Sequence, residues 1–204
     1  MRIGKARLLR RSISVGVAGI LVAALAACTG RGGGYLPATS PTFNGPASFG
    51  FDFSCEDKGG LNPRTGQLVI QVGYVEHGTY LATGLPFSVH GIVDVIDPVV
   101  ESAICIGQNP PPGGSTLIFL GRYWPASTAP VDFPTSCPVR DSQKTPSCRF
   151  EIQVKDNDSN LAPSTGDYFS IQLSSTTALG SQLDPGTVFY TRAGILEGGN
   201  VAVD

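Results

Sequence analysis

The chain has 204 residues, including 26 glycines and 16 prolines, and 41% of its residues are apolar. Its formal net charge of −2 argues against a nucleic-acid-binding protein, because such proteins need clustered positive charge to neutralise phosphates. Many turn-forming residues beside enough apolar residues for one core predict a single all-β domain.

The N-terminal segment has the features of an export signal. Basic residues at positions 5–11 precede an apolar run of 15 residues at positions 13–27, shorter than the ~20 residues of a membrane-spanning helix. The run ends in Leu25-Ala26-Ala27-Cys28, which resembles the lipobox of bacterial lipoproteins. That resemblance implies Sec export, cleavage before Cys28, and attachment of a diacylglycerol and further acyl chains such as palmitate. The alternative is an ordinary secretory signal followed by a chance cysteine.

Cleavage of this lipoprotein signal peptide, residues 1–27, would leave nine basic and sixteen acidic side chains. Residues 28–47 are predicted to be the lipidated cysteine and a flexible tether, because they show no hydrophobic period and are rich in Gly, Pro, Ser and Thr. The predicted location is therefore the exported side of the cell envelope. The predicted partner is a membrane, contacted through the lipid anchor, and a protein or glycan partner is left open.

From residue 48 onward apolar and polar residues alternate, which is typical of β-strands, whose successive side chains point to opposite faces. The strand-like runs are residues 49–55, 67–75, 87–96, 103–106, 117–123, 149–155, 168–173 and 188–203. Turn-forming sequences separate many of them. Residues 48–204 are therefore predicted to form one antiparallel β-sandwich or barrel-like domain.

Residues 124–147, called here the Pro-rich excursion, interrupt this pattern with five prolines. Loops of this length in compact domains are either functional or loosely ordered. One interpretation makes the excursion the site of an envelope hydrolase, with Tyr123, Trp124 and Phe133 lining a pocket beside acidic groups. In the other interpretation these rings pack on the sheet, and the domain has a binding or structural role.

Several short motifs resemble the post-COAP domain, a small secreted bacterial β module with no assigned activity. The matching pieces include Phe49-Gly50-Phe51, Tyr74-Val75-Glu76-His77, Val89-His90-Gly91 and the closing run at positions 194–201, Gly-Ile-Leu-Glu-Gly-Gly-Asn-Val. The loop between Asp156 and Asp167 and the Pro-rich excursion are longer than that pattern. The resemblance implies a β fold and an exported location, and it carries no catalytic residues.

Four cysteines follow Cys28, and an even number in an exported chain predicts two disulfides with three possible connectivities. Cys137 and Cys148 bracket the end of the Pro-rich excursion, and pairing them leaves Cys55 with Cys105. Zinc is the competing interpretation, but the chain has no Cys-x-x-Cys pair of the kind that holds structural zinc.

Catalytic motifs are absent from the sequence, so nothing in it favours an enzyme. There is no Gly-x-Ser-x-Gly sequence to present a nucleophile. Only His77 and His90 are available as an imidazole base, and neither lies in a catalytic motif. We therefore interpret both histidines as structural or exposed, and we predict no catalytic residue.

The acidic loop that begins at Asp156 is the one candidate metal site. Asp156, Asp158, Asn160 and Asp167 could supply side-chain oxygens to calcium, which prefers hard oxygen ligands on a flexible loop. Leu161 at position six of the loop, where an EF-hand needs glycine, argues against an EF-hand. The favoured alternative is a solvated loop whose Asp, Asn and Ser side chains make turn hydrogen bonds, so no cofactor is assigned.

Overall fold

The computed structural model describes residues 29–39, 43–54, 70–78, 86–93, 116–126, 133–137, 148–157, 166–178 and 183–203. A 3-10 turn at Pro185–Thr187 is the only helical segment in these ranges, and none of the described residues forms a helix that could span a bilayer. The strands are β1 Thr29–Leu36, β2 Ala47–Ser54, β3 Val72–Glu76, β4 Phe87–Val93, β5 Thr116–Pro125, β6 Cys148–Lys155, β7 Tyr168–Ser174, β8 Val188–Ile195 and β9 Gly198–Val203.

All nine strands belong to one antiparallel sheet with the order β8-β7-β6-β5-β4-β3-β2-β1-β9. The first eight strands form a meander in which each strand pairs with the next. The predicted fold class, a single all-β antiparallel domain, is confirmed, and the single sheet is curled in a barrel-like way. Sequential strands are therefore neighbours in the sheet, although the connections between β4 and β5 and between β5 and β6 are long.

Contacts across the concave face show how tightly the sheet is curled. Four strands separate β2 from β7 in the sheet order, yet the rings of Phe49 and Phe169 are stacked with their centroids 3.7 Å apart. Tyr74 on β3 is also stacked on Phe169, at 6.3 Å. The hydrophobic core therefore lies inside the curl, where the alternate residues of every strand meet.

The two edges of the sheet are joined by the chain itself. Only Leu196 and Glu197 lie between β8 and β9. The Leu196 N–H donates to Asp167 O, beside β7, at 2.9 Å, and the Glu197 N–H donates to Tyr35 O on β1 at 3.1 Å. The predicted run 188–203 is thus two strands, the first paired with β7 and the second with β1.

The prediction of a flexible tether at residues 28–47 is wrong for residues 29–36. Residues 29–36 form β1, which pairs along its whole length with β2 and along Gly30–Tyr35 with β9. The glycines of this strand explain the error. A Cβ on Gly32 would lie 2.8 Å from Asn200 O and 3.1 Å from Cε1 of Phe51. Gly32 and Gly34 carry no side chain because neighbouring strands fill the space that a Cβ would occupy.

The remaining predicted strands agree with the structure to within a few residues wherever it describes the chain. The runs 117–123, 149–155 and 168–173 correspond to β5, β6 and β7, and the run 87–96 to β4. The run 67–75 is represented by β3, which begins at Val72. The predicted strand at 103–106 lies outside the described residues.

Candidate functional site

Four polar side chains meet inside the curled sheet, and we call them the concave-face cluster. Tyr74 and Glu76 stand two residues apart on β3, and Tyr190 and Arg192 stand two residues apart on β8. Residues at this spacing share one face of a strand, so both pairs point into the core. Their exposed fractions lie between 0% and 2%, which places two opposite charges in the protein interior.

A continuous chain of hydrogen bonds connects the cluster. The hydroxyls of Tyr74 and Tyr190 lie 2.5 Å apart, and Tyr190 Oη donates to Oε2 of Glu76 at 2.8 Å. Arg192 Nη1 donates to the same carboxylate oxygen in a salt bridge. The other oxygen, Oε1, accepts from the Gly78 N–H at 3.0 Å. Both oxygens of the buried carboxylate therefore have donors, as a buried charge requires.

Arg192 also holds the connection between β1 and β2. Its Nη2 donates to the carbonyl oxygens of Pro37 and Gly45, both at 2.8 Å. Its guanidinium carbon lies 4.4 Å from the centroid of the Phe43 ring, within the range of a cation–π contact. One buried arginine thus connects β3, β8 and the β1–β2 connection.

The environment of the cluster shifts the pKa values of Tyr74, Tyr190 and Arg192. Burial raises the pKa of Tyr74 and of Tyr190 well above the ordinary value of 10.0. Burial alone would lower the pKa of Arg192, but the hydrogen bond and the charge of Glu76 outweigh it and raise that pKa. The tyrosines stay protonated and the arginine stays charged at neutral pH, and their hydrogen bonds hold β3, β8 and the β1–β2 connection together.

A second contact, on the outer face, joins a hydroxyl to an imidazole. Ser48 Oγ lies 2.7 Å from Nε2 of His77, with His77 exposed at the end of β3. His90, the other histidine, lies on β4 with its ring edge-on to Trp124 at 6.1 Å. The two histidines therefore make different contacts: His77 makes a hydrogen bond at the surface, and His90 packs against an aromatic ring.

The aromatic residues around the Pro-rich excursion are buried. The exposed fractions of Tyr123, Trp124 and Phe133 are 1%, 3% and 8%. Phe133 lies edge-on to Phe87 at 5.4 Å and to Phe189 at 5.2 Å. Tyr123 and Phe133 belong to the hydrophobic core, and Trp124, on the opposite face of β5 from Tyr123, contacts His90.

A disulfide closes the end of the excursion. Cys137 and Cys148 are bonded to each other, as the bracketing positions predict, and both side chains are buried. Tyr123 Oη donates to Ser174 O at 3.1 Å and lies 3.4 Å from Cys137 Sγ. Cys55 and Cys105 lie outside the described residues, so their pairing stays a prediction.

The predicted calcium ligands are only partly within the described residues. Asp158 and Asn160 lie outside them, and Asp156 is partly buried. Asp167 is fully buried, and its carboxylate accepts from the backbone N–H groups of Asn157 at 3.0 Å and Val201 at 2.8 Å. The structure thus gives Asp167 a structural role, and calcium binding stays a prediction. Within the described ranges no group of three or more His, Cys, Asp or Glu side chains is arranged to hold a metal.

The concave-face cluster was not found from the sequence, although a signal for it is present. Glu76 and Arg192 occupy strand positions whose alternation assigns them to the apolar face, where an ionised side chain is expensive unless it is paired. Two opposite charges on core positions of different strands predict a buried pair. The contact between side chains of β3 and β8 across the core was needed to recognise it.

Comparisons with known proteins add nothing to this description, and the resemblance to the post-COAP family stays a prediction. No family model matches the chain, no curated protein matches it, and no solved structure matches it.

Proposed function

We propose that this chain is a bacterial lipoprotein of the cell envelope, anchored through acyl chains on Cys28, and that its β domain has a binding or structural role. The sequence before the domain supports the anchor. A basic segment, an apolar run of 15 residues and Leu25-Ala26-Ala27-Cys28 follow one another in the order of a lipoprotein signal. Two or more acyl chains at one residue give effectively stable membrane attachment.

The burial of the aromatic side chains at the Pro-rich excursion is the observation that carries the second half of the proposal. Tyr123, Trp124 and Phe133 would have to line an open pocket in a hydrolase, but each is at most 8% exposed. The concave-face cluster is engaged in its own hydrogen bonds, and its two tyrosines have raised pKa values. These features favour a stable scaffold that presents its surface to a partner.

Lipidation is tested by partitioning between detergent and aqueous phases. Wild-type protein from expressing cells is expected in the detergent phase, and Cys28→Ala in the aqueous phase. The matched control is the Cys137→Ala/Cys148→Ala double variant, which removes two other cysteines and should still partition into detergent. Equal aqueous partitioning of wild type and Cys28→Ala would refute the anchor.

The binding or structural role is tested separately with the soluble domain. Purified protein that lacks residues 1–28 is incubated with native envelope fractions and cross-linked. We expect a protein or glycan component to be retained, with no low-molecular-weight product released from the envelope. Catalytic release of such a product would favour the hydrolase instead.

A further inference from the structure

The first strand of the sheet begins at the residue that follows the predicted lipidation site. Thr29 is in register with Ser54 of β2, and Gly30 is in register with Val203 of β9. Cys28 directly precedes Thr29 in the sequence. The folded sheet and the predicted anchor are therefore separated by a single peptide bond.

This adjacency limits how far the domain can lie from the bilayer. Consecutive Cα atoms are ~3.8 Å apart, whereas a flexible linker of n residues spans ~5–6 Å × √n. A tether of nearly twenty residues, as expected for residues 28–47, would let the domain move some 25 Å from the surface. With β1 in the sheet, the acyl-bearing residue and the first paired residue are neighbours.

We propose that the domain rests directly on the lipid surface in one orientation, with the beginning of β1 and its neighbours Ile70 and Val203 against the bilayer. This proposal relies on the lipidation of Cys28 proposed above. In this arrangement the sheet sets the orientation of the domain, whereas a domain on a long tether would move freely.

The surface beside Thr29 has an apolar residue suited to this contact. The Asp52 N–H donates to Gln71 O at 3.0 Å, which places the neighbouring Ile70 beside Phe53, the register partner of Gly30. The side chain of Ile70 is 45% exposed. A large apolar side chain at this position can enter the boundary between headgroups and acyl chains.

Two described charges near this surface have opposite sign. Arg31 and Asp52 are both exposed and stand in register on β1 and β2. We therefore expect the contact to depend on Ile70 and the acyl chains and not on anionic lipid. A vesicle of neutral phosphatidylcholine should be sufficient.

The opposite end of the sheet would face away from the membrane. The chain from Val188 to Val203 is almost continuous strand, with a contour of about 50 Å at ~3.4 Å per residue. Asp184, just before the 3-10 turn at Pro185–Thr187, is exposed at the far end of this segment. Asp184 is therefore the matched position for a residue held far from lipid.

The experiment places a single tryptophan at either position. Trp124 is the only native tryptophan, so Ile70→Trp and Asp184→Trp are each made in a Trp124→Phe background, with the full chain lipidated in cells. Both proteins are reconstituted in phosphatidylcholine vesicles containing bromine on the acyl chains, which quenches nearby tryptophan. We expect several-fold stronger quenching at position 70 than at position 184. Insertion of twenty Gly and Ser residues between Cys28 and Thr29 should abolish the difference.

Flotation with the vesicles separates the two proposals. If wild-type protein does not float, the anchor itself fails. If it floats but position 70 is quenched no more than position 184, the anchor stands and the fixed orientation is wrong.

Amide hydrogen exchange at residues 70–72 tests the orientation of the domain without the tryptophan substitutions. It should be several-fold slower on vesicles than in Cys28→Ala, and equal rates would overturn the proposal.

Discussion

Oδ2 of Asp167 accepts a hydrogen bond from the backbone N–H of Val201 at 2.8 Å, so one buried carboxylate joins the start of β7 to β9. These two strands are not neighbours in the sheet order. The carbonyl of the same residue accepts from Leu196, between β8 and β9. Asp167 thus stabilises the junction at which β8, paired with β7, ends and β9, paired with β1, begins.

Replacement of Asp167 by Asn should destabilise the domain. The amide keeps the size of the side chain but removes the charge and one of its two acceptor oxygens, and hydrogen bonds to charged groups contribute ~1.5–3 kcal/mol each. We expect a loss of about 2 kcal/mol in the free energy of unfolding, measured by urea denaturation.

Asp52→Asn is the control for this substitution, because Asp52 is exposed and such changes stay within ~0.5 kcal/mol. Equal losses for the two variants would contradict the structural role of Asp167.

Calcium binding is tested by thermal unfolding of wild type and of Asp158→Ala. If the acidic loop binds it, calcium should raise the melting temperature of wild type but not of Asp158→Ala. Identical wild-type curves with calcium and with chelator would remove the metal site.

The salt bridge between Glu76 and Arg192 should show strong energetic coupling. Glu76→Gln leaves the Arg192 charge in the core without its counter-charge, and breaking a buried pair in this way costs ~3–5 kcal/mol. Adding Arg192→Met removes that charge, so the double variant should lose less than the sum of the two single losses. Urea denaturation of all four proteins measures this coupling, and strictly additive losses would show that the two side chains do not interact.

Alkaline titration should reveal tyrosines that do not ionise in the folded protein. Burial raises the pKa of Tyr74, Tyr123 and Tyr190 above the ordinary value of 10.0. Groups whose pKa is raised on folding contribute stability that is complete below pH 10 and is lost as the pH rises above it, because the unfolded chain releases these protons first. We therefore expect unfolding to become easier above pH ~10.

Tyrosinate absorbance near 295 nm provides the measurement. At a pH just above 10, unfolding the protein with denaturant should release additional absorbance from the buried Tyr74, Tyr123 and Tyr190. Tyr190→Phe should reduce this increment. Complete ionisation before any loss of secondary structure would contradict the burial of these hydroxyls.

The closure of the sheet by β1 and β9 should tolerate no side chain at Gly199. This residue has φ +111°, and a Cβ there would lie 2.2 Å from Gly33 O on β1. Gly199→Ala should therefore cost ~1–3 kcal/mol from backbone strain, and more from the contact. Gly73→Ala is the matched control, because a Cβ at Gly73 meets nothing within 4 Å and should be neutral or stabilise by up to ~1 kcal/mol. Thermal unfolding compares them, and similar melting temperatures would argue that β1 and β9 are not paired.

Much of the sheet was predictable because its strands alternate in hydrophobicity. Residues of β2 such as Phe49 and Phe51 point to the core, while Ser48 and Asp52 point outward, so the two-residue period is visible in the sequence. No such period exists in β1, where Gly32 and Gly34 occupy the core-facing positions and carry no side chain.

The concave-face cluster could not be predicted for a different reason. Tyr74 and Tyr190 are 116 residues apart in sequence, and their contact depends on how strongly the sheet curls. The curl depends in turn on packing such as the stacking of Phe49 on Phe169. Local sequence patterns define which face a side chain occupies but not which distant strand it meets.

Amide hydrogen exchange of residues 30–36 tests most directly whether the strand next to Cys28 belongs to the sheet. Since β1 is paired on both sides, its hydrogen-bonded amides should be protected to about the same degree as those of β2. Exchange of these amides at the rate of an unstructured peptide, with β2 still protected, would restore the flexible tether and contradict the account.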